Sequence, residues 1–339
     1  MEVIIKSFGL NPSSFSVQQI GTGHIHKTYK LVGSPGYILQ RVNKQVFKQP
    51  EIIASNQRLA SDYLKENFPS YPFLSAIPST DHLEMVYDKE GFPWRLFLYR
   101  ENTITLDKVN TTQEAYSAAS EFGRLTRSLD KIEVDKFKET IPQFHNLTLR
   151  FKQFETALAL ATEERKRNAG QWIDACLAFH LIVTHYDELT KDGSLRLRIT
   201  HNDTKINNIL FDAISHEAVC VIDLDTMMPG YFIFDLGDMV RTFVSPVSEE
   251  EKDFSKIVFR KDIYDALLEG YLSQMAEVMS EEEKSAIPFA GKMMTYIMAL
   301  RFLADYLNGN IYYHITYPEQ NLVRAGTQLR LLEILEQEL

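Results

Sequence analysis

The chain has 339 residues, of which 45% are hydrophobic, 12% aromatic and 24% charged. This composition is that of a folded globular protein, and it excludes disordered, collagen-like and low-complexity chains. The 46 acidic side chains exceed the 36 basic ones, which gives a formal net charge of −10. A chain of this charge is a poor non-specific binder of nucleic acid or of an anionic membrane, so we expect neither as a partner.

The cysteine content and the amino-terminal segment indicate the cellular compartment. Cys176 and Cys220 lie far apart and form no CxxC pair, which excludes a disulfide framework and a cysteine-rich zinc site. The first residues lack the cationic start and long apolar run of a secretory signal. No uncharged apolar stretch reaches about 18 residues, the length of a membrane span. We therefore expect a cytoplasmic protein, and no feature of the sequence indicates an oligomeric state.

The order of the predicted elements indicates two lobes, 1–101 and 102–339. The first contains one helical stretch, 50–66, and short β-rich runs at 26–33, 36–42, 82–88 and 93–100. In the second, helices are predicted near 111–130, 147–165, 169–190, 261–278, 281–307 and 318–338. An island of short strands interrupts these helices at 195–224. We predict an α+β chain with a small β-rich N-terminal lobe and a larger, mostly helical C-terminal lobe.

The most informative polar segment is HNDTKINN, residues 201–208, which lies between two strand-like runs and is expected to form a loop. Asp203 and Asn208 have the spacing of the kinase catalytic loop, H-x-D-x-x-x-x-N. Phosphoryl transfer needs a carboxylate that orients the attacking hydroxyl and an oxygen ligand for Mg²⁺. We assign the first role to Asp203 and the second to Asn208, with His201 positioning the loop. A polar turn or a metal-hydrolase site is the alternative.

Two further carboxylates follow the apolar run VCVI. Asp223 and Asp225 stand at the carboxyl end of a predicted strand. Mg²⁺ prefers oxygen ligands and is usually held by one or two carboxylates together with substrate phosphates. Asp223 is the better candidate for this ligand. Asp225 points the same way in a strand, which makes it a candidate second metal ligand or substrate contact.

Together, ITHNDTKINNILFD and VCVIDLDTMMPGYFIFDLGDMVR resemble the aminoglycoside phosphotransferase and choline kinase superfamily. Within it, WRLFLYREN (94–102), RFLADYLNG (301–309) and YPEQNLVRA (317–325) resemble the N-acetylhexosamine 1-kinases. The resemblance covers nearly the whole chain. It implies a bilobal protein-kinase-like fold that uses ATP and Mg²⁺ to phosphorylate a small-molecule hydroxyl, here the anomeric hydroxyl of an N-acetylhexosamine.

The resemblance also implies nucleotide-binding candidates near the first hairpin. Gly21 and Gly23 lie in GTGHIHKTYKL, where glycines let the backbone approach phosphates closely. An ordinary hairpin turn is the alternative. The family covers the nucleotide with this segment, so the Thr28 hydroxyl is expected near it. The family often has an asparagine at the position of His26.

Arg41 stands on the third predicted strand, where kinase-like folds place a lysine that binds the α- and β-phosphates. Arginine is a capable bidentate phosphate ligand, and a surface arginine on an edge strand is the alternative. The candidates for its partner on the helix are Glu51, Asn56 and Gln57.

Residues 99–101 join the lobes. Because kinase-like folds hydrogen-bond adenine through this backbone, Tyr99 and Glu101 are nucleotide-binding candidates.

The acceptor candidates are Asp203, Asp225, Arg241, Arg301, Asp305 and Tyr317. Arg301 and Asp305 are four residues apart on a predicted helix, so a surface ion pair is the alternative for them. Asp235 is expected to fix the catalytic loop, and Asp238 to be structural. The aromatic candidates for a sugar face are Tyr231, Phe232 and Phe243, and the sequence does not choose among them.

Two rival functions stay open at this stage. The first is the same chemistry on an amino alcohol, an aminoglycoside or another small hydroxyl compound. A cationic acceptor requires an acidic pocket, and arginines at 241 and 301 argue against one if they line the site. The second is a non-catalytic kinase-like protein that binds nucleotide without transfer. The intact set of Asp203, Asn208 and Asp223 argues against it.

Overall fold

A computed structural model describes residues 1–20, 26–191 and 193–339. The elements of the N-terminal lobe are α1 (Glu2–Ser7), β1 (Ser16–Ile20), β2 (Lys27–Val32), β3 (Tyr37–Arg41), α2 (Pro50–Asn67), β4 (Val86–Tyr87) and β5 (Pro93–Leu98). The strands form an antiparallel sheet in the order β1-β2-β3-β5-β4. The predicted helix and both predicted hairpins are confirmed. The sequence analysis missed β1, because SVQQI is exposed along nearly all of its length and lacks an apolar alternation.

The register of this sheet decides which side chains face the rest of the protein. Leu39 pairs with Tyr29 on β2 and with Leu96 on β5, and this face packs against the apolar side of α1. Gln40, the next residue, pairs with Thr28 and Arg95. Because successive residues of a strand point to opposite faces, this second row of side chains is polar and faces away from α1.

The C-terminal lobe begins with a short strand and continues mostly as helices. Its elements are β6 (Thr103–Ile104), α3 (Thr112–Ser128), α4 (Leu147–Leu160), α5 (Glu163–Ala178), α6 (Leu181–Lys191), β7 (Arg198–Thr200), β8 (Ile209–Asp212), β9 (Ala218–Val221), β10 (Met228–Gly230), α7 (Phe232–Phe243), α8 (Lys261–Met275), α9 (Glu281–Ser285), α10 (Ile287–Leu307) and α11 (Gln320–Glu338). Small sheets join β6, β8 and β9, and β7 with β10. The predicted α+β architecture, with a β-rich first lobe and a helical second lobe, is confirmed. Within the described ranges, no helix is long and apolar enough to cross a bilayer.

Several helix boundaries differ from the prediction. The two helices predicted over 147–190 are three, because Thr162 caps a new helix by accepting a hydrogen bond from the backbone N–H of Arg165. The helix predicted over 281–307 is divided at Ala286 into α9 and α10. Helix α7 was not predicted, although its sequence is amphipathic; all of its residues except Thr242 are buried, including the polar Asp235, Asp238 and Arg241.

A buried ion cluster fixes the strand that leads into the HND loop. Arg198 on β7 is 1% exposed, and its Nε lies 3.1 Å from Asp130 Oδ1. Its Nη2 donates to Glu283 Oε2 at 2.9 Å. Glu283 also closes the capping box of α9 with Ser280. The charge of Arg198 is therefore fully compensated, as a buried charge must be, and β7 is tied to α9.

Helices α3 and α8 pack closely because Gly270 of α8 lets their backbones approach. A Cβ on Gly270 of α8 would overlap the backbone of Tyr116 on α3, whereas a Cβ on Gly170 of α5 meets nothing within 4 Å. Gly270 therefore permits a backbone approach that no other residue allows, and Gly170 has no such role.

We expect Gly270→Ala to lower the free energy of unfolding by about 1–3 kcal/mol, because the methyl group forces the two helices apart. Gly170→Ala is the matched control and should raise it by up to about 1 kcal/mol, since alanine has the higher helix propensity. Urea unfolding followed by circular dichroism measures both. Equal effects of the two substitutions would contradict the assigned contact.

Candidate active site

The HND loop is held in place through hydrogen bonds that its backbone N–H groups donate to side chains. Asp235, in the first turn of α7, accepts the backbone N–H groups of His201 (3.0 Å) and Asn202 (2.7 Å). His201 Nδ1 accepts the N–H of Asp203 at 3.2 Å, so Nε2 carries the proton and donates to the carbonyl of Ile222 at 3.0 Å. Burial raises the pKa of Asp235 to about 6. These contacts agree with the loop-fixing roles expected for Asp235 and His201.

Asp203 stands at the head of the loop with two close partners. Its Oδ1 lies 3.3 Å from Lys205 Nζ. The side-chain amide of Asn208 donates to the Asp203 carbonyl at 2.8 Å and to its Oδ2 at 3.1 Å. Burial opposes ionisation, but the positive charge of Lys205 outweighs it and holds the pKa of Asp203 below its usual value. The carboxylate is therefore ionised and fixed in direction at neutral pH.

Asn208 and Asp223 fit a hard divalent cation. Within the described parts of the chain the amide nitrogen of Asn208 is used by Asp203, while its amide oxygen makes no hydrogen bond. Asp223 is exposed and takes the left-handed backbone conformation (φ 55°, ψ 55°), which is uncommon for a residue other than glycine. Desolvation by the surrounding cleft walls, and then the charge of the neighbouring Asp225 carboxylate, raise the pKa of Asp223. A bound cation would relieve this repulsion.

A cavity of about 600 Å³ lies between the lobes, with Asn208 and Asp223 in its wall. The lining residues from the N-terminal lobe include Thr28, Ile38, Gln40, Arg95, Phe97 and Tyr99. Those from the C-terminal lobe include Ile104, Leu210, Ile222 and Asp225. Of the predicted nucleotide-binding residues, Thr28 and Tyr99 line this cavity. Glu101 is exposed and does not, and Gly21 and Gly23 lie outside the described residues.

The structure does not bring Arg41 to this cavity. Arg41 shares the sheet face of Leu39, and its guanidinium lies 4.0 Å from the ring centre of Phe92 and 3.8 Å from Glu90. The β3 residue that lines the cavity is its neighbour, Gln40. A shift of one residue moves a strand side chain to the opposite face, and the expectation for Arg41 is corrected for this reason.

Asp225 is buried between the lobes, where it contacts three side chains of the N-terminal lobe. Its Oδ1 lies 2.6 Å from Arg95 Nη1 and 3.4 Å from Gln57 Nε2, and its Oδ2 lies 2.8 Å from His26 Nε2. Although burial opposes ionisation, Arg95 and His26 hold the pKa of Asp225 well below its usual range. His26, Asp223 and Asp225 bring ligand atoms within 4.8 Å of one another. Because its oxygens face N-terminal-lobe partners, Asp225 joins the lobes, and its expected contact with a metal or an acceptor stays a prediction.

On the acceptor side, the two predicted arginines differ in their surroundings. Arg241 is buried, with hydrogen bonds to Asp238 (2.7 and 3.1 Å) and to Glu249 (3.0 Å). These carboxylates occupy its guanidinium, so it is not free to contact an acceptor. Arg301 has no carboxylate partner among the described residues. Three rings surround it instead, with centres 5.1 Å (Phe144), 5.7 Å (Tyr313) and 5.9 Å (Tyr312) from its guanidinium carbon.

Asp305 positions two of these rings. Its carboxylate accepts the backbone N–H groups of Ile311 (2.9 Å), Tyr312 (2.8 Å) and Tyr313 (3.0 Å). The ion pair between Arg301 and Asp305, which their spacing permits, does not form. Asp305 therefore fixes the loop after α10 and is not itself an acceptor contact.

The arginine and its rings lie next to the HND loop. His145 Nε2 hydrogen-bonds the carbonyl of Asn202 at 2.9 Å, and the ring centres of His145 and Phe144 are 4.3 Å apart. Burial lowers the pKa of His145 to about 4, and the nearby positive charge of Arg301 adds to this effect. His145 is therefore neutral at pH 7 and connects the loop to the ring cluster.

The other acceptor candidates lie elsewhere. The ring of Tyr317 lies under the Lys252 ammonium, with 4.2 Å to its centre, and no contact between the described residues connects it to Asp203. Phe232 and Phe243 are fully buried core residues. Tyr231 packs edge-to-face on Phe234. None of these stacks beside Arg301.

The sequence analysis missed Phe144, His145, Tyr312 and Tyr313. The pair of adjacent tyrosines just after a predicted helix was the one signal that pointed to an aromatic loop there. Phe144 and His145 come from a distant segment with no spacing relation to Arg301. Their role follows from the packing of α4 and α10, which the sequence does not specify.

A loop carboxylate and two side chains with oxygens suited to a cation, at the wall of a cleft between a sheet lobe and a helical lobe, are features of a kinase-like phosphotransferase. The chain belongs to the phosphotransferase enzyme family known as APH, whose family model matches residues 16–277.

Solved structures share the fold over nearly the whole chain. A microcompartment-associated aminopropanol kinase is 15% identical with a TM-score of 0.65, over 99% of this chain and 95% of that chain. Spectinomycin phosphotransferase APH(9)-Ia, in complex with ADP and spectinomycin, is 14% identical with a TM-score of 0.62, over 99% and 97%. Choline kinase from Cryptosporidium parvum Iowa II is 15% identical with a TM-score of 0.58, over 99% and 94%. At these identities the likeness shows the fold.

We expect ATP with Mg²⁺ to stabilise the wild-type protein against unfolding more than ATP alone does. In Asp223→Asn this additional stabilisation by Mg²⁺ should be lost. A tenfold weaker binding of the metal–nucleotide complex corresponds to about 1.4 kcal/mol of lost stabilisation at saturating ligand. Thermal unfolding in ATP with Mg²⁺ or with EDTA measures the difference, and Asp212→Asn, at the end of β8 and outside the cavity wall, is the control. An unchanged Mg²⁺ increment in Asp223→Asn would exclude this ligand.

Proposed function

We propose that the protein transfers the γ-phosphoryl group of ATP to the anomeric hydroxyl of an N-acetylhexosamine. The observation that carries the sugar assignment is the surroundings of Arg301. A guanidinium without a carboxylate partner in the described chain, surrounded by aromatic rings and adjacent to the HND loop, offers planar N–H donors and apolar faces together. Sugar hydroxyl and acetamido oxygens are acceptors for such donors, and aromatic faces suit a sugar ring. The choice of the anomeric hydroxyl rests on the resemblance of 94–102, 301–309 and 317–325.

The residues of the HND loop account for the transfer. Asp203 orients the acceptor hydroxyl and takes its proton as the oxygen forms a bond to the γ-phosphorus and the bond to the leaving ADP oxygen breaks. Lys205, 3.3 Å from Asp203, keeps that carboxylate ionised until then. Asn208 and Asp223 would hold Mg²⁺, which offsets the negative charge that develops on the phosphate oxygens. Adenine would lie at the other end of the cavity, against the backbone near Tyr99.

The charges on the acceptor side disfavour an amine. Aminopropanol and choline, named for two of the similar structures, are cationic, and a protein recognises a cation with an uncompensated carboxylate or an open aromatic face. Here Asp238 and Glu249 are paired with Arg241, and Asp305 accepts backbone N–H groups. Arg301 adds a positive charge and already occupies the space beside the three rings. An uncharged sugar therefore fits this side better than an amino alcohol or an aminoglycoside.

A panel of acceptors tests the function. ADP release with ATP and Mg²⁺ is measured over N-acetylglucosamine, N-acetylgalactosamine, glucose, choline, ethanolamine and an aminoglycoside. We expect turnover on an N-acetylhexosamine and a product that has lost its reducing end, because a 1-phosphate blocks the anomeric carbon. Asp203→Asn should lower kcat by about 10²–10⁴-fold while nucleotide still binds. Turnover on the amines alone would replace the substrate, and nucleotide binding without any turnover would support the non-catalytic alternative.

A second prediction concerns the acceptor arginine. Arg301→Met should raise KM for the N-acetylhexosamine by about tenfold or more, equivalent to about 1.4 kcal/mol of binding. The KM for ATP should change little, because the arginine does not line the nucleotide cavity. Arg330→Met, which removes an exposed arginine paired with Glu333 on α11, is the matched control. A fall in kcat with both KM values unchanged would contradict a sugar-binding role.

A further inference from the structure

The cleft-facing position of β3 holds a neutral side chain. Thr28, Gln40 and Arg95 form one row across β2, β3 and β5, and all three line the cavity between the lobes. Gln40 donates to the Thr28 hydroxyl at 3.1 Å and accepts from Arg95 Nε at 2.9 Å. A kinase-type cleft requires a cation on this sheet for the nucleotide phosphates. In this sheet the row contains one cation, and it stands on β5.

Arg95 is held in one orientation, and some of its guanidinium N–H groups are not used in that contact. The residue is 2% exposed, with Nε and Nη2 donating to Gln40 and Nη1 lying 2.6 Å from Asp225 Oδ1. A guanidinium has five N–H groups in a fixed plane. One N–H on each terminal nitrogen is therefore left over for a further acceptor. Because Gln40 and Asp225 fix the plane, little side-chain freedom is lost when that acceptor arrives.

The position of Arg95 relative to Asp223 identifies the acceptor it would meet. Its partner Asp225 is two residues from Asp223, so the guanidinium stands at the metal-binding end of the cavity. The other arginine in the described cavity wall is Arg100, at the connection between the lobes beside Tyr99. Phosphates held by a metal on Asp223 would lie on the Arg95 side.

In kinases the phosphate-binding lysine pairs with a glutamate on a helix of the N-terminal lobe, and this pairing is also different here. Helix α2 directs Gln57 to Asp225, with 3.4 Å between Nε2 and Oδ1, and contributes no carboxylate to Arg95. The carboxylate comes from the C-terminal lobe instead. Asp225 thus performs the pairing that a helical glutamate performs in other kinase-like folds.

We propose that Arg95 on β5 binds the ATP phosphates in this protein, with Asp225 as its positioning residue. The proposal rests on the nucleotide binding contained in the proposed function, and it does not depend on which acceptor is phosphorylated.

Binding of ATP, ADP and adenosine to the full-length protein, measured by calorimetry with Mg²⁺, tests the assignment. The ratio of the adenosine Kd to the ATP Kd reports the phosphate contacts and is insensitive to the folded fraction. We expect Arg95→Met to lower this ratio by tenfold or more and Arg95→Lys to restore part of it. Arg58→Met, which removes a half-exposed arginine of α2 paired with Glu84, is the matched control and should keep the ratio.

A second variant covers the case in which Arg95→Met does not fold, because it leaves the buried Asp225 charge without its cation. Arg95→Met with Asp225→Asn removes both charges and should show the same loss of ratio. An unchanged ratio in either folded variant would overturn the proposal, as would loss of the ratio in Arg41→Met instead. A wild-type protein that does not prefer ATP to adenosine would overturn this proposal and the proposed function together. If no sugar is phosphorylated but the Arg95 variants still lose the preference for ATP over adenosine, only the proposed sugar substrate is overturned.

Discussion

The carboxylate of Asp225 is the contact on which the arrangement of the site depends. Asp225 belongs to the C-terminal lobe, two residues after Asp223, and its carboxylate contacts Arg95, His26 and Gln57 of the N-terminal lobe. A buried carboxylate with so many partners is costly to separate from them, since each partner would have to be resolvated and the charge left alone. The contact therefore fixes the sheet face with Thr28 and Gln40 relative to Asn208 and Asp223, and it sets the width of the cleft.

The acceptor side is built by a different kind of constraint. Asp305 uses its carboxylate on three successive backbone N–H groups, which gives the loop after α10 one conformation and directs two tyrosines toward Arg301. A carboxylate whose oxygens are taken up by backbone donors has little room left for direct contact with an amine. The same residue thus orders the aromatic wall and leaves Arg301 without a direct carboxylate partner among the described residues. The two sides of the cleft share the HND loop, which His145 connects to the rings and Asn208 to the metal side.

The parts of the site that were predictable from the sequence are those in which the chemistry lies within one segment. Asp203 with Asn208, and Asp223 after its apolar strand, are local patterns whose spacing carries their meaning. The division into a β-rich and a helical lobe follows from local periodicity as well. Arg41 was misassigned because the choice between Gln40 and Arg41 is a choice of sheet face, which depends on pairing with β5. Arg301 was predicted as an acceptor contact, which stays a prediction, but its rings come from residues 144 and 312–313, which tertiary packing alone brings together.

Strand β5 carries Arg95 near its start and runs directly into Tyr99 at the connection between the lobes. Four residues of extended strand span about 13 Å. The cation proposed for the phosphates and the backbone proposed for adenine are thus separated by a single rigid segment of fixed length. In a fold that takes its cation from β3, the two ends of the nucleotide are held by different strands. Here the distance between base and phosphate recognition is fixed within one strand, which favours nucleotides of one length.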